Sequence, residues 1–331
     1  MTEGTGVLII GELEDESISS TTCELLAAGR SLANSLGQKL SLGLAVDNGD
    51  SAAQEGISYG AEQVFLINDP LLHDYQADLQ LAAVTEICKA ASPSIILIGR
   101  TLQGREIGPR LAVRLGVGLA QDCLEVDIEP ETQKMVARRP VYGGNAMAAL
   151  TCTKIPQLAS VRPKAYEPLN ADDSRQGETT VVEAALDASM AKVKLVERLE
   201  EETEGPQLET AKIVVAGGRG LGGPEPFQKL DDLAKLLNAA VGASRAVVDA
   251  GWLAPPMQIG LTGKTITPDL YITVAISGAS QHMAGCSGAK AIVAINKDSE
   301  ANIFKEARYG VVGDWEKILP SFTETVRELV K

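Results

Sequence analysis

Residues 270–296 read LYITVAISGASQHMAGCSGAKAIVAIN. An apolar run without alternation, LYITVAI, leads into a turn of small residues. A short segment around Gln281 and His282 follows, and then a second apolar run, AIVAIN. Strands buried on both faces read as continuous apolar runs, and the crossover between parallel strands puts a helix over the sheet. The stretch is expected to be a strand–turn–helix–strand unit. Its glycine-framed turn lies at the carboxyl end of a strand, where open α/β sheets bind ligands. His282 is one of only two histidines in 331 residues. Its place beside Gln281, with Ser277 on the same turn, makes this segment the leading candidate for a binding site.

The pattern repeats outward from this stretch. Upstream lie AKIVVAGG (211–218), PFQKLDDLAKLLNAA (226–240) and VGASRAVVDAG (241–251), again strand, helix, strand and turn. The first half alternates in the same way. GVLIIGE (6–12), KLSLGLAV (39–46), QVFLIN (63–68) and SIILIGR (94–100) read as strands. TTCELLAAGRSLANSLG (21–37) carries Leu25, Leu26, Leu32 and Leu36 at helical spacing and stops at Gly37. ADLQLAAVTEICKAA (77–91) and GPRLAVRLG (108–116) are further helices. From Asp122 to about Val182 the pattern loosens into β-rich segments such as KMVARRPVYGG. VERLEEETEGP (196–206) packs five glutamates ahead of Gly-Pro, as a solvated linker does. The expected architecture is two doubly wound α/β domains with parallel sheets, residues 1–206 and 207–331.

The net charge is −14, and its placement is uneven. Residues 207–331 hold 13 basic and 13 acidic side chains, which leaves 17 basic against 31 acidic for residues 1–206. Such a surface repels nucleic acid and anionic membrane, and an anionic ligand finds the neutral C-terminal part less hostile. No run of about 18 apolar residues is present, so no membrane insertion is expected. The N-terminal MTEGTGVLIIGELED lacks the basic and apolar segments of a secretion signal, and the expected location is cytoplasmic. Five scattered cysteines form no C-x-x-C pair, which points to buried reduced thiols and away from a metal site or disulfide framework.

Several motifs sit on the strand-to-helix turns. GRGLGG supplies G-x-G-x-x-G at Gly218, Gly220 and Gly223, suited to backbone approach to phosphate. The acidic residue expected about 20 positions later is absent; Asp249, the nearest plausible one, sits somewhat late. GASRAVVDAG places Arg245 among small residues, and QIGLTGK frames Thr262 between Gly260 and Gly263. In IGRTLQGREIGPRLAVRLG, the arginines Arg100, Arg105, Arg110 and Arg114 are expected to meet local carboxylates or a partner chain.

Taken together, LYITVAISGASQHMAGCSGAKAIVAIN, GGRGLG, VGASRAVVDAGW, TGK, KDSEANIF and YGVVGDW resemble the alpha subunit of electron transfer flavoproteins. IGRTLQGREIGPRLAVRLG and RRPVYGGNAMA extend the resemblance over nearly the whole chain. It implies a heterodimer with a beta subunit and one FAD held by a C-terminal domain of sirtuin-like (DHS-like) fold, which would account for the missing ribose acid. Carried onto this sequence, Arg219 and Ser244 would touch the cofactor and Arg245 would lie against the isoalloxazine ring. The loop Ile259, Gly260, Leu261 and Thr262 would face the flavin, with the Thr262 hydroxyl near N5. Ser277, Gly278, Ala279, Ser280, Gln281 and His282 would follow, His282 near the pyrimidine carbonyl. Asn296, Asp314 and Trp315 would take the adenosine side. Leu261 departs from the family, which usually has Gln there.

The implied role is an electron carrier between flavin dehydrogenases, such as acyl-CoA dehydrogenases of fatty acid oxidation, and a quinone oxidoreductase. The alternative is an electron-bifurcating, NADH-oxidising member with a second FAD in the beta subunit. A sirtuin-like NAD-consuming hydrolase would want a zinc-binding cysteine set that the scattered cysteines do not supply. A group near the flavin that is cationic or donates hydrogen bonds would favour its negatively charged reduced form, and His282 and Arg245 are the residues expected to do this.

Overall fold

The computed structural model describes residues 4–142, 146–193, 195–197 and 205–330. The chain forms two compact units, Met1–Arg198 and Leu199–Lys331. The acidic stretch 196–206, expected as a linker, falls largely outside the described residues.

The first unit begins with β1 (Val7–Ile10), a short hairpin of β2 (Leu13–Glu14) and β3 (Ser17–Ile18), α1 (Ser20–Leu36), β4 (Leu40–Val46) and α2 (Asp50–Ser58). β5 (Gln63–Asn68), α3 (Ala77–Ala91), β6 (Ile95–Gly99), α4 (Leu102–Leu115) and β7 (Leu119–Cys123) follow. The loosened region then makes an antiparallel sheet of β8 (Glu125–Ile128), β9 (Met135–Val141) and β10 (Ala146–Leu150). β11 (Gln157–Val161) and β12 (Glu178–Val181) rejoin the main sheet. That sheet is parallel throughout, in the order β12-β5-β4-β1-β6-β11-β7.

Local chemistry fixes these elements. Ser19 caps α1 by accepting the Thr22 N–H, and Gly37 closes it at φ 62°, a conformation glycine adopts without steric cost. α4 starts at Leu102, ahead of the stretch GPRLAVRLG, because Thr101 caps it; the Thr101 hydroxyl accepts the Gly104 N–H at 3.0 Å. β1 and β6 are buried along their whole length, which is why they read as unbroken apolar runs. Of the four arginines around α4, Arg100 meets Asp122 at 3.0 Å and Arg110 meets Asp78 at 3.4 Å. All five cysteines are free thiols; Cys23, Cys88, Cys123 and Cys286 are buried.

The second unit contains β13 (Ile213–Gly217), α5 (Phe227–Leu237), β14 (Ala240–Ser244), α6 (Arg245–Asp249), β15 (Gln258–Ile259) and β16 (Leu270–Val274). It ends with α7 (Ser280–Met283), β17 (Ile292–Asn296), α8 (Ile303–Glu306), β18 (Tyr309–Val312) and α9 (Trp315–Leu329). Its sheet is again parallel, in the order β15-β14-β13-β16-β17-β18. Counted from β13, this is 3-2-1-4-5-6, the doubly wound order whose direction reverses between the first and fourth strands. One core packs Phe227, Leu230 and Leu233 of α5 and Leu319 of α9 on Val215, Ile272 and Val274. The other gathers Leu208, Val214, Ile259, Ile266, Tyr271 and Cys286. Among the described residues, no helix is long and apolar enough to cross a membrane.

Candidate functional site

The direction reversal between β13 and β16 opens a crevice at the carboxyl edge of the second sheet. The turns leaving β13, β14, β15, β16 and β17 enclose a cavity of about 670 Å³ there, within the range of small-molecule and cofactor sites. Gly218, Arg219 and Gly220 come from the first turn, Ser244, Arg245 and Asp249 from the second, and Gln258 through Thr262 from the third. Ala275, Ile276, Ser277, Ala279, Gln281 and His282 come from the fourth, and Asn296, Asp298 and Ala301 from the fifth.

Glycine is required where these turns close on one another. A side chain at Gly218 would place Cβ 2.1 Å from the Ala275 carbonyl oxygen, so the β13 and β16 turns approach backbone to backbone. Ala275 itself holds φ 57°, an uncommon conformation for a residue with a side chain. Gly260, at φ 146°, lies against the backbone of Gln281 and His282, and the Leu261 N–H donates to the Gln281 carbonyl at 2.7 Å. The third and fourth turns are thereby joined. The short helices α6 and α7 begin directly after the second and fourth turns, and the first N–H groups of a helix have no intrahelical acceptor.

The side chains divide by what they have left to offer. Arg245 is exposed, and its Nε meets Asp249 at 3.2 Å, so its charge stays within the crevice mouth. The Gln258 amide donates to the Thr262 hydroxyl oxygen at 3.0 Å, which leaves the Thr262 hydrogen free to donate to a ligand. His282 is buried, at 7% exposure. Its Nδ1 lies 3.1 Å from the Ile259 carbonyl and its Nε2 lies 2.8 Å from the Tyr271 hydroxyl. Burial holds its pKa down at about 4. The imidazole is neutral near pH 7 and has both nitrogens engaged, so the expectation of a cation or free N–H donor at this position is corrected.

Most of the expected site residues line one cavity: Arg219, Ser244, Arg245, Ile259, Gly260, Leu261, Thr262, Ser277, Ala279, Gln281, His282 and Asn296. Asn296 lines it as a brace, its amide donating to the Ile276 carbonyl at 2.8 Å and its side-chain oxygen accepting the Asp298 N–H. Gly278 and Ser280 belong to the turn without lining the cavity. Gly278, at φ 76°, packs against the backbone of Ile303. Asp314 and Trp315 do not reach it either. Asp314 caps α9 through the Glu316 N–H, and Trp315 is buried in the α5–α9 core with Lys229 Nζ 5.3 Å from its ring centroid. Gln258, Ala275, Asp298 and Ala301 were not expected. Gln258 stands one residue before the expected loop, and its side-chain amide was the available signal.

Comparison with known proteins agrees with this arrangement. Residues 7–187 match the electron transfer flavoprotein domain, and residues 207–287 match the electron transfer flavoprotein FAD-binding domain. The chain is 39% identical over 330 residues to the electron transfer flavoprotein subunit alpha of Thermoanaerobacterium thermosaccharolyticum, covering 99% of this chain and 100% of that one. It is 40% identical over 328 residues to the Bacillus subtilis protein of the same name, covering 98% of each. It is 38% identical over 323 residues to protein FixB of Azotobacter vinelandii, covering 96% of this chain and 89% of that one. The FAD-binding match spans the first four turns of the cavity, and FAD is the cofactor it indicates. The chain belongs to the electron transfer flavoprotein alpha-subunit family.

Proposed function

We propose that this chain pairs with an electron transfer flavoprotein beta subunit in a cytoplasmic heterodimer and holds FAD in the crevice at the β13–β16 reversal. The heterodimer would take electrons from flavin dehydrogenases, such as acyl-CoA dehydrogenases, and pass them to a quinone oxidoreductase. The observation that carries this reading is the convergence of the GRGLGG, GASR, QIGLT and SGASQH turns on one cavity within the matched FAD-binding domain. Five free thiols fit a reducing compartment.

FAD, when bound, supplies the one- and two-electron chemistry. The chain's own residues bind and orient it. The Arg219 guanidinium offers donors to a diphosphate. The Thr262 hydroxyl, oriented by Gln258, is the donor aimed from the third turn. Arg245 places a positive charge at the mouth, restrained by Asp249. Leu261, in place of the usual Gln, gives that loop an apolar side chain and removes one amide from the flavin's surroundings.

The test is to co-purify the chain with its beta partner, count flavins per heterodimer, and add either NADH or an acyl-CoA with its dehydrogenase. One FAD, bleached by the dehydrogenase and not by NADH, is expected. Two FAD per heterodimer with bleaching by NADH would replace the carrier reading with the bifurcating one.

A further inference from the structure

Tyr271 is the one polar interruption with an aromatic ring in the strand LYITV, and it is fully buried. A buried tyrosine hydroxyl needs a partner, and here it is Nε2 of His282 at 2.8 Å. The rings lie 6.1 Å apart at 28°. The direction of this bond follows from the other side of the imidazole. Nδ1 faces the Ile259 carbonyl at 3.1 Å, and a carbonyl only accepts, so Nδ1 carries the proton. In the neutral ring Nε2 is then a bare acceptor, and the Tyr271 O–H donates to it. The reverse tautomer would set two lone pairs against each other at Ile259. Cys286, one turn on, directs its thiol to the His282 carbonyl at 3.5 Å and does not compete for the ring.

We infer that Tyr271 is a positioning residue of the cofactor site: its hydroxyl caps Nε2 of His282, so that the imidazole lines the cavity with neither an N–H nor a lone pair to offer. This rests on the reading of that cavity as the FAD site. The chain Tyr271–His282–Ile259 ties β16 to β15 through α7. It thereby anchors the Gly260–Thr262 loop from behind, as the Leu261–Gln281 bond does in front. Without the cap, Nε2 becomes an unpartnered acceptor at the cavity wall. It then takes up a proton, or the ring turns and presents its Nδ1–H to the cofactor, and either change sets an N–H donor where added negative charge is favoured.

The experiment uses the FAD-loaded heterodimer with ¹⁵N-histidine in this chain only. His73 is the sole other histidine, so His73→Gln leaves one imidazole to observe. The wild-type spectrum is expected to give a protonated Nδ1 and a bare, hydrogen-bonded Nε2. Tyr271→Phe keeps the ring and removes the hydroxyl. In it, the Nε2 resonance should move to the position of a nitrogen without a donor, and the midpoint potential of the bound flavin should rise with FAD retained. A protonated Nε2 in the wild type would overturn the inference, whether or not the variant folds. An unmoved Nε2 resonance and potential in a folded Tyr271→Phe would overturn it as well. A heterodimer that binds no FAD would instead overturn the cofactor-site reading, while the wild-type spectrum still decides the hydrogen-bond direction.

Discussion

His282 and Arg245 both line the cavity, yet only one of them brings a charge. The depressed pKa of His282, about 4, comes from burial, with the hydrogen bond at Ile259 acting the other way. Its resonance should therefore stay that of a neutral ring from pH 8 down to about pH 5. A titration of His282 near pH 6.5 would contradict the buried, capped geometry. Of the two residues expected to act on a flavin electrostatically, Arg245 is the one that carries a charge. A hydrogen bond to a charged group contributes roughly 1.5–3 kcal/mol, so Arg245→Ala should lower the first one-electron potential by roughly 60–130 mV. A redox titration of the intact heterodimer reads this directly, and an unmoved potential with FAD still bound would remove Arg245 from the flavin's surroundings. Sequence reasoning found these side chains because they stand alone among small residues. It missed Tyr271 because that residue acts from inside a strand, where an aromatic ring reads as core. The resemblance put Trp315 on the adenosine side, although the indole packs in the α5–α9 core.

At the scale of elements, legibility followed burial. β1, β4, β5, β6, β13, β16 and β17 bury nearly every side chain, and their apolar runs could be read directly. β12 and β18 are four-residue strands with every residue exposed, so no pattern announced them. α2 and the long α9 were also not read, although α9 places Ile318, Leu319, Phe322 and Val326 on one face toward its core. β11 and β12 return to the main sheet through parallel pairings with β6, β7 and β5, which no local signal encodes. Caps carry part of the stability of these elements. Thr101 accepts the Gly104 N–H and also donates to Glu12 at 2.6 Å, a carboxyl whose pKa burial raises and this bond lowers. Thr101→Ala should lower stability by about 1–2 kcal/mol in urea unfolding, as lost caps do. Thr101→Ser, which keeps the hydroxyl, should recover most of it. Equal losses in both would show that the methyl group, not the cap, matters.

At the scale of the molecule, one buried group in each unit shifts its pKa, in directions that give opposite pH dependence. In the first, burial raises Glu24 from 4.5 to about 7, against the Lys164 N–H that donates to its carboxylate. The native unit therefore keeps this proton between about pH 7 and 4.5 while the unfolded chain releases it, and the contribution of Glu24 to stability grows as pH falls through that window. In the second, His282 falls from 6.5 to about 4, so the unfolded chain binds a proton that the native unit refuses. Its contribution shrinks as pH falls from 6.5 toward 4. Hydrogen exchange resolved by segment should show residues 4–193 gaining protection relative to 205–330 as pH drops from 7 to 5, after correction for intrinsic rates. Glu24→Gln should flatten the first response and leave the second in place; an unaltered first response would exclude Glu24 as its source.

If the crevice at the β13–β16 reversal holds the FAD of this subunit, filling the crevice should expel it. Ala279 is exposed, lines the cavity and belongs to no core cluster. Flavin is to be extracted and counted from wild-type and Ala279→Trp heterodimers of matched circular dichroism. The wild type should carry stoichiometric FAD and the variant, folded but nearly colourless, should carry little. A folded Ala279→Trp heterodimer with its full complement of FAD would place the cofactor elsewhere.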